Sequence, residues 1–143
     1  VYDAIELEVF GTPEPQGNKT AFLNKRTGKI VMTEGRRPDA RERFTSWRDA
    51  VAWEARAWQT EHNAALLDEP CMVTITFRMP RPKSAPKRMW PGTRPDVDKL
   101  TRAVLDALTG TIIANDSRVC ELHVYKRFAV DTAPGCSIKI EVL

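Results

Sequence analysis

Arg94-Pro95-Asp96-Val97-Asp98-Lys99-Leu100-Thr101-Arg102-Ala103-Val104-Leu105-Asp106-Ala107-Leu108-Thr109-Gly110 is the stretch from which the rest of the chain is read. Val97, Leu100, Val104 and Leu108 recur at spacings of three and four, and Ala103 and Ala107 fill the same side. That period predicts a helix with one buried apolar stripe. Pro95 stands just outside its start, Asp96 suits the N-cap, and Gly110 suits the position just past its end. Asp98, Arg102 and Asp106 follow one another at i+4 on a neighbouring face. Two carboxylates, Asp96 and Asp98, therefore flank the start of a helix.

Downstream, Asn115-Asp116-Ser117 precedes an alternating strand expected from Val119 to Val130. A third carboxylate, Asp116, thus stands at the mouth of a strand. Cys120, Leu122, Val124 and Phe128 fall on one side of that strand. Glu121, His123, Tyr125 and Arg127 fall on the other, and Lys126 and Arg127 are candidate phosphate contacts. Asp131 to Gly135 is a turn, after which Ile138 to Val142 is expected to close a hairpin.

Upstream, Pro80 to Pro95 carries Arg81, Lys83, Lys87, Arg88 and Arg94 with no acid among them. Its prolines exclude regular structure and favour an extended, flexible loop. The loop reads either as a phosphate-binding approach to Asp96 or as a solvated linker. Trp90 within it either stacks on an unpaired base or anchors the loop to the core. Before the loop, Cys71 to Met79 is a strand with Cys71, Val73, Ile75, Phe77 and Met79 on one face.

The N-terminal half adds a half-buried strand at Ile5 to Val9, ended by Gly11, and a turn-rich segment from Thr12 to Thr20. A hairpin is expected from Ala21 to Glu34, with its turn at Asn24 to Lys29. Lys19, Lys25, Arg26 and Lys29 gather cations there, as a solvated turn or as a DNA contact that gains from counterion release. A long helix follows, Asp39 to Glu61. Its stripe of Phe44, Trp47, Val51, Ala55 and Trp58 is core, and Trp53 falls outside it. His62 closes that helix.

Three carboxylates have two readings. Asp96 as cap, Asp98 as complement to the helix dipole and Asp116 as turn residue is the structural one. The chemical one is a magnesium site, since that ion takes oxygen ligands from a few carboxylates, water and substrate phosphate. Such an ion activates water and neutralises the charge that grows on a phosphodiester under attack.

The run Pro95-Asp96-Val97-Asp98-Lys99, then Ala103 to Leu108, then Asn115-Asp116-Ser117-Arg118-Val119 and Lys126-Arg127, resembles the RusA family, Holliday junction resolvases of bacteria and their phages. The recognisable part spans Arg94 to Arg127, roughly a quarter of the chain. The resemblance implies a small α/β homodimer that cuts four-way DNA junctions with magnesium; manganese is the other candidate ion. It places the metal-binding acids on Asp96, Asp98 and Asp116, and the family's functional lysine on Arg102. Arg102 keeps the charge of that lysine but cannot donate a proton near neutral pH. Asn115 stands where the family often has a second acid. Candidate DNA contacts are Lys19, Arg81, Lys83, Lys87, Arg88, Arg94, Lys99, Lys126 and Arg127.

The 143 residues suit one domain, 1–143, with a sizeable core. The order of elements gives an α+β fold, two main helices packed on a mixed β-sheet. The net charge of +3 is a mild excess, so its clustering matters more than its size. Three widely spaced cysteines make neither a zinc pattern nor a disulfide framework and point to a reduced cytoplasm. No apolar run reaches membrane-spanning length. An Asp-x-Asp phosphatase or sugar-nucleotide transferase is disfavoured, because a Pro-rich cationic loop precedes the motif here. The rival of another class is a DNA-binding module that grips junctions without cutting.

Overall fold

A computed structural model of the chain describes residues 4–17, 20–33, 38–86 and 89–143. The strand Cys71–Met79 (β4) is its centre, alternating buried and half-buried side chains from end to end. Its neighbour Gly135–Val142 (β6) pairs with it antiparallel, and Ile5–Phe10 (β1) pairs antiparallel with β6. On the opposite side, Val119–Phe128 (β5) pairs parallel with β4. The sheet order is β1-β6-β4-β5, the mixed sheet expected of an α+β fold. A parallel pair needs a crossover, and the Pro-rich loop with the helix Val97–Leu108 (α2) provides it.

The helices α1 (Pro38–Glu61) and α2 share one apolar cluster with the sheet. Trp47, Val51 and Ala55 of α1 and Leu100, Val104 and Leu108 of α2 pack there with Val9, Ile75, Phe77, Ile138 and Ile140. The stripes expected from helical spacing are thus the buried faces, and Trp53 stands outside at 71% exposure. Trp58 is half-buried and stacks on His62 with ring centroids 4.0 Å apart. Nδ1 of His62 lies 2.9 Å from the Trp58 carbonyl oxygen, so His62 closes α1 as expected.

On the other face of the sheet, the Arg78 guanidinium spans three strands. It donates to Ser137 Oγ at 2.7 Å and pairs with Glu8 at 3.2 Å. Thr20–Asn24 (β2) and Lys29–Thr33 (β3) form a separate two-stranded ribbon. Its turn is held by Asn24, whose carbonyl accepts from Gly28 N at 2.8 Å and whose Oδ1 accepts from Arg26 N at 3.0 Å. Among the described residues no helix is long and apolar enough to cross a membrane.

Two expectations are corrected. β5 and β6 form no hairpin, because β4 lies between them. Ile138 and Ile140 of β6 are buried in a central position, whereas β5 takes an edge and leaves Cys120 to His123 exposed. Cys136, Ile138 and Ile140 stand on one face of β6, and the central position buries all three. Val97 is 41% exposed, not part of the buried stripe. A helical side chain leans toward the N-terminus, so that of the first residue projects past the helix end. Thr101 is buried instead, with Oγ1 donating to the Val97 carbonyl at 2.7 Å.

Candidate active site

Where β4 ends and α2 begins, two proline-rich segments stand apart and leave a cleft of about 1120 Å³. Thr12 to Gly17 makes one wall and the Pro80–Pro95 loop the other, with Asp96, Lys99 and Lys126 lining it as well. The walls are tied to the fold at specific points. Gln16 N donates to the Lys99 carbonyl of α2 at 3.0 Å. Lys126 Nζ, on β5, donates to the carbonyls of Thr93 and Pro95, both at 2.8 Å. Its neighbour Arg127 lays its guanidinium over the Trp90 ring, 4.4 Å from the centroid, and lies 5.2 Å from the Tyr125 ring. Arg81 donates to the Ala85 carbonyl and folds the first part of the loop on itself. Trp90 thus anchors its loop through a cation–π contact, worth about 0.5–1 kcal/mol at an exposed site.

Asp96 occupies the N-cap position of α2 with extended backbone, φ −73° and ψ 143°. Its carbonyl accepts from Leu100 N at 3.1 Å, but its side chain makes no capping hydrogen bond among the described residues. The carboxylate is exposed and is not used to start the helix. Asp98 is exposed in the first turn, at the positive end of the helix dipole. Arg102 follows one turn on, also exposed.

Asp116 lies elsewhere. After Leu108 the chain turns tightly, with Ile112 N and Ile113 N both donating to the Leu108 carbonyl. Ile113 then bridges to Leu67, and Asp116 to Arg118 form a short 3-10 turn. Asn115 caps it, its Oδ1 accepting from Ser117 N at 2.9 Å, which gives the amide at 115 a structural task. Arg118 pairs with Asp68 at 2.8 Å, and Val119 stands beside Cys71 at the start of β4. Asp116 is therefore at the foot of the sheet and Asp96 at its head. The rise of α2 from Asp98 to Leu108 alone separates them by about 15 Å. Among the described residues, no group of three or more histidine, cysteine, aspartate or glutamate side chains could hold a metal ion.

The chain accordingly brings Asp96, Lys99 and Lys126 to one cleft, with Arg94 on its wall and Asp98 in the adjoining turn. Arg81 and Lys83 lie in the loop, Arg81 half-buried and Lys83 exposed. Lys19, Lys87 and Arg88 lie outside the described residues. The carbonyl clamp of Lys126 and the wall at Thr12 to Gly17 had no signal in local spacing, since Lys126 and Thr93 are 33 residues apart.

A family model described as Endodeoxyribonuclease RusA matches residues 11–141. The chain belongs to the RusA family. The matched span extends beyond the Arg94–Arg127 stretch and takes in both walls of the cleft. The RusA chain is also similar to Uncharacterized protein YqaN of Bacillus subtilis (strain 168), 28% identical over 138 residues and covering 89% of each chain. Membership in the RusA family makes this a nuclease chain whose substrate class is DNA.

Proposed function

We propose that this chain is a structure-selective endodeoxyribonuclease that uses magnesium, or manganese in its place, to resolve four-way DNA junctions by paired symmetric nicks. The whole chain, 1–143, acts as one endonuclease unit in this reading. The observation that carries it is Asp96, whose side chain makes no helix-capping hydrogen bond and which lines the cleft together with Arg94, Lys99 and Lys126. Asp96 and Asp98 together offer four carboxylate oxygens at the positive end of α2, a donor set suited to a hard divalent ion. Asp116, at the far end of α2, completes a three-carboxylate set only if a second copy supplies it. A two-fold homodimer does this twice over, and it also matches the two-fold symmetry of a four-way junction.

When bound, the ion supplies an activated water and neutralises developing charge. The chain's own residues do the rest. Lys99 and Arg102 hold the phosphate, and Arg102 does so without serving as a proton donor. Arg81, Lys83, Lys87, Arg88, Arg94, Arg127 and Lys19 grip the backbone of the arms, which gives affinity with little base sequence. Lys126 fixes the loop just before Asp96.

The second reading is a module that binds junctions without cutting. The separation of Asp116 from Asp96 within one chain favours it. A synthetic four-way junction and a linear duplex of the same sequence, each with and without magnesium, separate the two. Paired, magnesium-dependent nicks on the junction alone support the resolvase, and Asp96→Asn then abolishes cutting while junction binding persists. Mixing Asp96→Asn with Asp116→Asn tests the shared site. A mixed dimer has one intact site across the two-fold, so nicking returns; a site within one chain leaves the mixture dead.

A further inference from the structure

We propose that the cleft between Thr12–Gly17 and the Pro80–Pro95 loop takes an unstacked nucleobase of the DNA strand beside the scissile phosphate, with the Trp90 indole as its stacking face. This inference rests on the endonuclease reading above.

The cleft is larger than a phosphate contact needs. At about 1120 Å³ it has the size of a site for an organic group. Its lining is apolar where phosphate would want cations: Met79, Pro82, Met89, Trp90 and Phe128. Met89 and Trp90 are 51% and 65% exposed, although each has an apolar body to bury. The cations that do line the cleft, Arg94, Lys99 and Lys126, share it with Asp96. A nucleotide has this same division, an apolar π-face joined to an anionic phosphate. The charge and the apolar surface therefore match one strand of nucleic acid.

Trp90 is held ready for that contact. The Arg127 guanidinium supports the ring at 4.4 Å and itself donates to the Lys126 carbonyl at 3.1 Å. Lys126 in turn fixes Thr93 and Pro95, three and five residues beyond the indole. Arg127 takes up part of the ring, yet most of the residue is open to solvent. Stacking on such a ring does not depend on which base arrives, because every base has a π-face.

The consequence is selectivity for structure. A base in an intact duplex must be unpaired and unstacked before it enters the cleft, whereas one at a branch point or mismatch gives up less. The cleft would read whether a base can leave the stack, next to the carboxylate pair proposed to cut there.

The test uses the full chain and four-way junctions carrying a single abasic nucleotide at each position around the cut in turn. Binding is measured for the parent, Trp90→Ala and Trp90→Phe, and cutting by the parent is followed in parallel. At one position, loss of the base should weaken parent binding by about 5- to 100-fold. Trp90→Ala should bind the intact junction more weakly by a similar factor and show no further loss at that position. Trp90→Phe should keep most of the base dependence. Equal abasic penalties in parent and Trp90→Ala overturn the inference, and if the parent still cuts, the endonuclease reading stands without it. Base-dependent binding through Trp90 in a parent that never cuts would uphold the cleft and sink that reading. A change of oligomeric state in Trp90→Ala with unchanged DNA binding would make the cleft a contact between copies, and the inference fails.

Discussion

Lys126→Met should loosen the loop in front of Asp96 while leaving the core intact. The ammonium donates two hydrogen bonds of 2.8 Å, to Thr93 and Pro95. Methionine keeps a similar apolar stem and removes both donors. A hydrogen bond from a charged group contributes about 1.5–3 kcal/mol where it is well shielded. This site is open on one side, so the pair together is worth about 2 kcal/mol to the seated loop. That is about a 30-fold rise in local opening. The loss is local because Lys126 lies on the edge strand β5 and neither carbonyl belongs to the core cluster. Native-state hydrogen exchange measures it directly. The Gly92 amide, which donates to the Trp90 carbonyl, should exchange about 30-fold faster, while Ile75 on β4 keeps its protection. Cutting should fall as well, since Asp96 follows Pro95. Unchanged exchange at Gly92 would mean that the Arg127–Trp90 contact holds the loop alone. Loss of protection along β4 would mean that loop and core unfold together, and the reasoning about locality would be wrong.

Gly135→Ala should destabilise the fold by about 3 kcal/mol or more, because its Cβ would stand 2.0 Å from the Val9 carbonyl oxygen and the β1–β6 pair must part. Urea unfolding checks this, and a variant as stable as the parent refutes the close approach. Thiol labelling of the native chain near pH 8 should modify Cys120 alone, with Cys71 and Cys136 reacting only on unfolding, since both are buried. Burial pushes the Cys136 thiol up to about 12 from its ordinary 9.0. The unfolded chain therefore loses that proton first, and stability, full below pH 9, should decline toward pH 12 by about 1.4 kcal/mol per unit. A flat stability profile over that window would contradict the burial. Arg102→Lys should cut junctions at least as fast as the parent, whereas a steep drop in rate would show that this site is tuned to a planar guanidinium.

Much of the architecture was legible because it rests on short-range periodicity. The stripes of α1 and α2 and the alternation of β4 follow from spacings of a few residues, and burial obeyed them nearly everywhere. The failures were local competitions that spacing does not encode. Val97 has the right residue type and lies at the wrong end of its helix. β6 has the look of a hairpin partner for β5, yet its isoleucines are worth more between β1 and β4.

The candidate site divides in the same way. The sequence by itself determined the helix start at Asp96, the carboxylate two residues on and the cationic loop before them, because neighbours in the chain must be neighbours in space. Tertiary structure alone decided that Asp116 stands at the opposite end of α2, that Lys126 holds the loop and that Thr12 to Gly17 makes the second wall. Those outcomes depend on how the crossover carries the chain from the head of one strand to the foot of the next. A helix that returns alongside a parallel pair must separate the residues at its two ends, however close their chemistry makes them look in sequence.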